Sequence, residues 1–242
     1  MTLLEWPRRV AALTQLRVED VEAPVLSRED DHHLRRVLRA QVGEEIVVTD
    51  GAGAWRFARV APSGLEVAGD VAVDPRAPET SLYLAPVRGE RGEWALAKAT
   101  EAGVSRVVPL VSERVQKFRG EVRDKTLARW RRIAAETCGQ CRRTYDLVID
   151  EPLTPATTPS EVAVCDFAGE GDWSGVAAVA VGPEGGWAPG EWDEGRRRLS
   201  LGPTVLRGET AAVVAAALVT FANGSWGFTL GGRDLGNDES ST

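Results

Sequence analysis

Short β-branched runs alternate with longer segments of helical period, and the character of the alternation changes partway along the chain. Residues 45–50, 54–60 and 64–73 are apolar-rich runs separated by Asp50-Gly51-Ala52-Gly53 and Ala61-Pro62-Ser63-Gly64, which predicts strands joined by tight turns. Ahead of them, Ser27-Arg28-Glu29-Asp30 reads as a helix start. Residues 31–39 then place Leu34, Val37 and Leu38 on one face and arginines on another. Residues 1–73 are therefore expected to form a small, compact β-barrel. Residues 74–79 hold two prolines and no apolar pattern, the mark of a linker. Beyond it strands are expected at 82–87, 106–110, 146–149, 162–167 and 176–181. Helices are expected at 92–102, 122–138, 191–199 and 209–219. This order is α/β, with a mainly parallel sheet covered on both faces.

Two glycine-punctuated turns interrupt the last apolar runs. Gly182-Pro183-Glu184-Gly185-Gly186 follows the strand at 176–181, and Leu201-Gly202-Pro203-Thr204-Val205-Leu206-Arg207-Gly208-Glu209-Thr210 leads into the final helix. Glycine lets the chain turn sharply and leaves backbone N–H groups uncovered for a ligand. The positive end of the final helix points back at the first turn. Ordinary connections read much the same way, but the charged Glu184, Arg207 and Glu209 beside the most apolar strands favour a site. The spacing is neither G-x-G-x-x-G nor G-x-x-x-x-G-K-[ST], so dinucleotide and P-loop readings fall away.

At 242 residues and 43% hydrophobic content the chain suits one large or two small soluble domains. It has no apolar run long enough to span a bilayer, and residues 1–10 lack the basic-then-apolar order of a signal peptide, so a cytoplasmic protein is expected. Cys138 and Cys141 have C-x-x-C spacing without a second pair or nearby histidines. With Cys165 they make an odd count that fits a reducing compartment, and no metal site is expected. The net charge of −7 argues against indiscriminate nucleic-acid binding. Its distribution is uneven, because residues 114–143 carry ten bases (Arg114, Lys117, Arg119, Arg123, Lys125, Arg129, Arg131, Arg132, Arg142 and Arg143) against three acids.

The motifs resemble those of one family. GPEGG followed by LG-x-x-[IV]-LR-x-ET-A is the pattern of the bacterial ribosomal RNA uridine N3-methyltransferases (RsmE family) of the SPOUT superfamily. Lys98-Ala99-Thr100-Glu101-Ala102-Gly103-Val104, Val108-Pro109-Leu110 and Ser112-Glu113-Arg114 resemble its K-A-T-E-[LA]-G-V, [IV]-[IV]-P-L and S-E-R segments. Arg129-Trp130, Ile133, Glu136, Gln140 and Arg143 resemble RW-x-x-I-x-x-EA-x-x-Q-x-x-R. The stretch from His32 is similar to HHL-x-x-VLR-x-x-x-G-[DE]. Departures are Leu16-Arg17-Val18 near the usual Arg-Phe-Phe, Trp187 for phenylalanine, Gly208 for threonine, and Arg142 for glycine.

The resemblance implies a PUA-like RNA-binding β-barrel over residues 1–75, followed by a SPOUT trefoil-knotted α/β domain over 79–242. It implies S-adenosylmethionine as methyl donor, without metal, held by Gly182, Pro183, Glu184, Gly185, Gly186, Leu201, Gly202, Leu206 and Thr210. The implied reaction methylates N3 of a specific uridine in 16S ribosomal RNA, free or in the small ribosomal subunit. Arg143, Arg207 and Glu209 are the catalytic candidates, with Glu184 an alternative proton acceptor. RNA contact is expected from Arg35, Arg36, Arg39, Arg114, Arg129, Gln140 and Arg143, with Glu136, Gln140 and Arg143 sharing a helix face. A homodimer is implied, and the face of Ala211, Ala212, Ala215 and Ala216 suits either close packing between subunits or burial inside one. A SPOUT enzyme for another RNA or base, or a non-catalytic ribosome-assembly module, remains open at this level.

Overall fold

The computed structural model describes residues 5–87, 89–115, 118 and 120–224. Lys117 and Arg119 of the basic stretch, and the chain ends at 1–4 and 225–242, lie outside the described residues. The N-terminal part contains α1 (Glu5–Ala11), β1 (Gln15–Arg17), α2 (Arg28–His32), a π turn (His33–Val37), β2 (Glu45–Thr49), β3 (Ala54–Val60) and β4 (Leu65–Val73). Its sheet runs β1-β2-β3-β4, with β1 parallel to β2 and the other pairs antiparallel. Strand alternation sends Ile46 and Val48 to one core with Leu16, Leu34 and Ala58, and Val47 to another with Ala12, Trp55 and Phe57. Ser27 caps α2 by accepting the Asp30 N–H. The π turn, closed by Leu38 N–H to His33 O at 2.9 Å, brings Leu38 rather than Val37 under Leu34. Val37, expected on the buried face, is 59% exposed.

The second part contains β5 (Ser81–Leu84), α3 (Glu90–Glu101), β6 (Arg106–Pro109), α4 (Gly120–Gln140), β7 (Val148–Ile149), β8 (Ala163–Glu170), β9 (Ala178–Val181), β10 (Arg198–Leu199) and α5 (Gly208–Ala222). Its sheet, β10-β8-β9-β5-β6-β7, is parallel at every pairing. Both faces are covered, but by different means. Leu82, Leu84, Val107 and Val179 pack with Leu96 of α3, Trp130 of α4 and Ala212, Ala215 and Ala216 of α5. On the other face Tyr83, Val108, Val164 and Ala180 meet Trp187 and Trp192, which belong to a loop.

That loop corrects the helix expected at 191–199. Its residues form turns that end in β10, because its arginines serve distant carbonyls instead of a helix surface. Arg196 donates to Thr158 O at 2.6 Å, Arg197 donates to Asp172 O and Ser174 O, and the carbonyl of Arg197 accepts the Val164 N–H. Pro189, Gly190 and Gly195 add no helical tendency. The alanine face of α5 is also settled in part: Ala212, Ala215 and Ala216 are fully buried within the chain, so they are not available to a second subunit.

The two sheets are joined through residues 142–146, beyond the end of α4. Gly53 N–H donates to Thr144 O and Asp146 N–H to Gly51 O, while Arg17 pairs with Asp146 at 2.6 Å. The glycines matter here for space, since a Cβ on Gly51 or Gly53 would overlap the side chain of Asp146 or Tyr145. Arg9, 1% exposed, pairs with Asp74 at 2.7 Å and donates to Arg142 O; Arg142 in return donates to Ala12 O at 2.7 Å. Asp74, expected as the start of a linker, is thus a hub that also accepts from Trp55 and Thr144.

Arg142 takes φ 63°, the left-handed conformation for which glycine is best suited. This reversal ends the helical course of α4, so Glu136, Gln140 and Arg143 do not share a face. Glu136 and Gln140 are exposed on α4, whereas Arg143 turns back and donates to Thr100 O at 2.9 Å and Val104 O at 2.8 Å. Arg143 thereby caps the carboxyl end of α3, a favourable place for a cation.

Two outcomes follow from this junction. Arg143→Ala removes two charge-assisted bonds to carbonyls and should lower unfolding free energy by about 2–3 kcal/mol in a urea titration, and an unchanged midpoint would deny the capping role. Burial opposes ionisation of Asp74, but the hydrogen bonds from Arg9, Thr144 and Trp55 and the charge of Arg9 outweigh it and hold the carboxyl below its usual range. Such a group stabilises above its unfolded value of about 3.9 and loses that contribution as pH falls through the folded value. Asp74→Asn should therefore be less stable than the wild type at pH 7, with the difference closing below about pH 4. A difference that stays constant down to pH 3 would contradict the ion-pair origin.

Candidate active site

Both recesses of interest lie along the carboxyl edge of the parallel sheet, where open α/β sheets generally hold ligands. A cavity of about 360 Å³ sits beyond β8, β9 and β10, and a broad cleft of about 1130 Å³ sits beyond β5 and β6. Pro183 and Glu184 line both, so one glycine turn forms the wall between them. The cavity falls within the size range of small-molecule sites, roughly 300–1000 Å³.

Gly182, Pro183, Glu184, Gly186, Leu201, Gly202 and Leu206 all line the cavity. Gly185 lines the cleft instead, and Thr210, exposed on α5, lines neither. Local sequence explains the shape. A Cβ on Gly182 would stand 2.9 Å from the Trp187 ring, so only glycine allows the turn to fold onto that indole. Trp187 donates its N–H to Cys165 O at 3.2 Å and meets Trp192 edge-on at 5.1 Å, pinning the first turn to β8. Gly202, at φ 117°, shapes the second turn and donates to Ser200 Oγ.

Sequence reasoning missed Cys165, Asp166 and Phe167, which close the cavity from within β8. The available signal was the change from apolar to polar at Asp166 within the strand expected at 162–167. Burial pushes the Cys165 thiol up to about 12, helped by Asp166, so it lines the cavity as a neutral group. Asp166 is paired with Arg198 of β10. Phe167 and Val205 are 75% and 83% exposed at the cavity mouth.

Of the catalytic candidates, Arg207 is the exposed N-cap residue of α5, between the cavity-lining Leu206 and Gly208. Glu209 is largely buried, with one oxygen 3.8 Å from Arg91 Nε and the other, Oε2, without a partner among the described residues. Arg91 itself lines the cleft, a role its sequence did not announce. Arg143 lines neither recess. Gly208 fits closely, since a Cβ there would lie 3.3 Å from Val87 Cγ2 and 3.7 Å from Glu184 Cγ.

The RNA candidates divide in the same manner. Arg114 and Arg129 line the cleft, with Lys125 between them, over Phe118 and Trp130; Arg129 is paired with Glu93 at 2.7 Å. Arg35 is engaged in the N-terminal sheet, bound to Asp31 and to the carbonyls of Ala61 and Gly64, while Arg36 and Arg39 are exposed there. Gln140 is exposed at the end of α4. Among the described residues no three His, Cys, Asp or Glu side chains gather as metal ligands, and Cys138 and Cys141 are free thiols whose burial raises them above the usual range.

This fold and site define an α/β enzyme with a small-molecule cavity opening beside a cleft lined by cations. The RNA methyltransferase domain matches residues 75–220, and the RNA methyltransferase PUA domain matches residues 26–66. The chain belongs to this RNA methyltransferase family. The ribosomal RNA small subunit methyltransferase E of Mycobacterium bovis is 31% identical over 231 residues, spanning 84% of this chain and 87% of that protein. Among solved structures, a putative methyltransferase of Legionella pneumophila in complex with S-adenosylmethionine is 25% identical with a TM-score of 0.74, covering 86% of this chain and 97% of that one. The ribosomal RNA small subunit methyltransferase E of Neisseria gonorrhoeae, bound to S-adenosylmethionine, is 26% identical with a TM-score of 0.72 over the same shares.

Proposed function

We propose that this chain is an S-adenosylmethionine-dependent methyltransferase that modifies N3 of a specific uridine in small-subunit ribosomal RNA, in the cytoplasm. The observation that carries this reading is the glycine turn shared by the cavity and the cleft, which supports taking the two recesses as adjoining donor and acceptor sites. The cavity suits the donor by its backbone-rich turns, its apolar Val181, Leu201 and Leu206, and the neutral thiol of Cys165. S-adenosylmethionine bound there supplies a methyl group already activated by its sulfonium. The relatives that bind it have closely similar folds. The division at residues 1–75 and 79–242 is supported by the two separate sheets, and the knot by the path of the chain from β10 back to α5.

The chain's own residues then have to expose, align and deprotonate the acceptor. N3 lies on the Watson–Crick edge, so the uridine must be unpaired or flipped to enter the cleft. Arg207 lines neither recess itself, and its place at the start of α5 between the cavity-lining Leu206 and Gly208 supports reading it as the cation that draws charge from a uracil carbonyl oxygen and favours loss of the N3 proton. Glu184 lines both recesses and is exposed, which suits it to accept that proton. Glu209 instead faces Arg91 and serves to orient that guanidinium toward the cleft. Arg143 has no part in this scheme. A homodimer is supported by the family resemblance; with the alanine face consumed inside the chain, exposed Phe167 and Val205 offer the surface for it.

Incubation with S-adenosylmethionine and an unmodified 16S ribosomal RNA transcript or small subunit, followed by nuclease mapping and mass spectrometry, should yield one N3-methyluridine. Glu184→Gln should slow single-turnover methylation on the order of a hundredfold with donor affinity changed only a few-fold. A methyl group on another base, or on ribose, would overturn the assignment; a full-speed Glu184→Gln would remove Glu184 as proton acceptor.

A further inference from the structure

Arg114 stands at the contact between cleft and cavity. Its backbone is held in the turn after β6, with its N–H donated to Ser112 Oγ at 3.2 Å. The neighbouring Glu113 N–H donates to Glu191 Oε1 at 2.6 Å, and Glu191 Oε2 accepts the Ala188 N–H at 2.8 Å, so this turn is stitched to the loop that follows the first glycine turn. One guanidinium nitrogen of Arg114 donates to Gly185 O within the glycine turn itself. A Cβ at position 185 would lie 3.4 Å from Arg114 Cδ, an ordinary contact distance, so the Arg114 side chain packs directly along the glycine turn.

A guanidinium carries five N–H donors in a rigid fork, and the bond to Gly185 uses one side of it. The side chain is exposed and lines the cleft, so its remaining donors face the recess where RNA is expected. Of the neighbouring cations, Arg129 is committed to Glu93 by two hydrogen bonds, while Arg91 meets Glu209 at 3.8 Å. We infer that Arg114 is a positioning residue that couples the two substrates: it binds an RNA phosphate with the free part of its fork while holding the Gly185 carbonyl with the other. A phosphate there fixes the guanidinium, the guanidinium fixes the glycine turn, and the turn lines the donor cavity. RNA should therefore tighten donor binding, and by linkage the donor should tighten RNA binding by the same factor. This inference rests on the methyltransferase reading and specifies how its two sites communicate.

The test is to titrate S-adenosylhomocysteine, which prevents turnover, into the full chain with and without a saturating unmodified 16S ribosomal RNA transcript, for wild type, Arg114→Ala and Arg114→Lys. In the wild type RNA should lower the dissociation constant about tenfold, within the usual range of coupling between sites. Both variants should bind each ligand separately with a ratio near one. Arg114→Lys should retain more RNA affinity than Arg114→Ala, because an ammonium attracts phosphate but does not fork between two acceptors. Circular dichroism verifies folding, and if Arg114→Ala is unfolded the lysine variant decides. A variant that keeps the wild-type ratio overturns the proposal, as does a wild type that binds both ligands with a ratio of one. A wild type that fails to bind S-adenosylhomocysteine at all would instead count against the methyltransferase reading.

Discussion

The return of the chain from the edge of the parallel sheet to its centre is the constraint on which the rest of this structure depends. β10 pairs at the outer edge of β8, yet α5, which follows it, buries its small residues against α3, β5 and β9. The connecting residues must therefore pass over the carboxyl ends of the strands, opposite the turn that leaves β9. Two turns facing each other across strand ends make a narrow recess whose walls are backbone. Ala212, Ala215 and Ala216 permit this by letting α5 lie close beneath the sheet, where larger side chains would hold it away. The cavity is thus a consequence of packing, and its binding chemistry is carried by glycine geometry more than by charged side chains.

The same economy governs the junction between the two parts. Residues 142–144 give their carbonyls to the N-terminal part, Arg142 O accepting from Arg9, Gln15 donating to Arg143 O at 2.5 Å, and Thr49 and Gly53 meeting Thr144 O. Arg142 occupies a left-handed position that costs an L-residue roughly 1 kcal/mol or more. Its bonds to Ala12 O and Gly139 O offset that cost, and Arg9 returns the contact from the other side. Burial and the nearby Arg9 charge push Arg142 below its ordinary value, the electrostatic consequence of placing two guanidinium groups side by side. Arg143, next in the chain, ties this junction to the end of α3, so the N-terminal sheet is fixed relative to the helix that borders the cleft.

Local patterns made β2, β3 and β4 legible, since turn glycines and apolar runs are written in adjacent residues, whereas the three-residue β1 was not expected. They also marked both glycine turns. They failed where a side chain answers to a distant partner. Glu191, Asp193, Glu194 and Arg196 imitate a polar helix, but the carbonyls that Arg196 and Arg197 serve lie more than twenty residues away. Arg143 has the spacing of a helical face, and the reversal at Arg142 removes it from that face. Val37 faces solvent and its neighbour Leu38 takes the place under Leu34, because a π turn has a different period from an α-helix. Arg91 and Asp166 became visible as site residues only once the strand ends were aligned in one sheet.

Calorimetric titration of S-adenosylmethionine into the wild type and Gly202→Val tests the central claim most directly, because Gly202 shapes the second turn at φ 117° without supplying any side chain. A β-branched residue is strained in that conformation by about 1–3 kcal/mol, so the turn must move. The wild type should bind one donor per chain, and a folded Gly202→Val should bind about tenfold more weakly or worse, the equivalent of about 1.4 kcal/mol. Equal affinity in a folded Gly202→Val variant would place the donor somewhere other than between the two glycine turns.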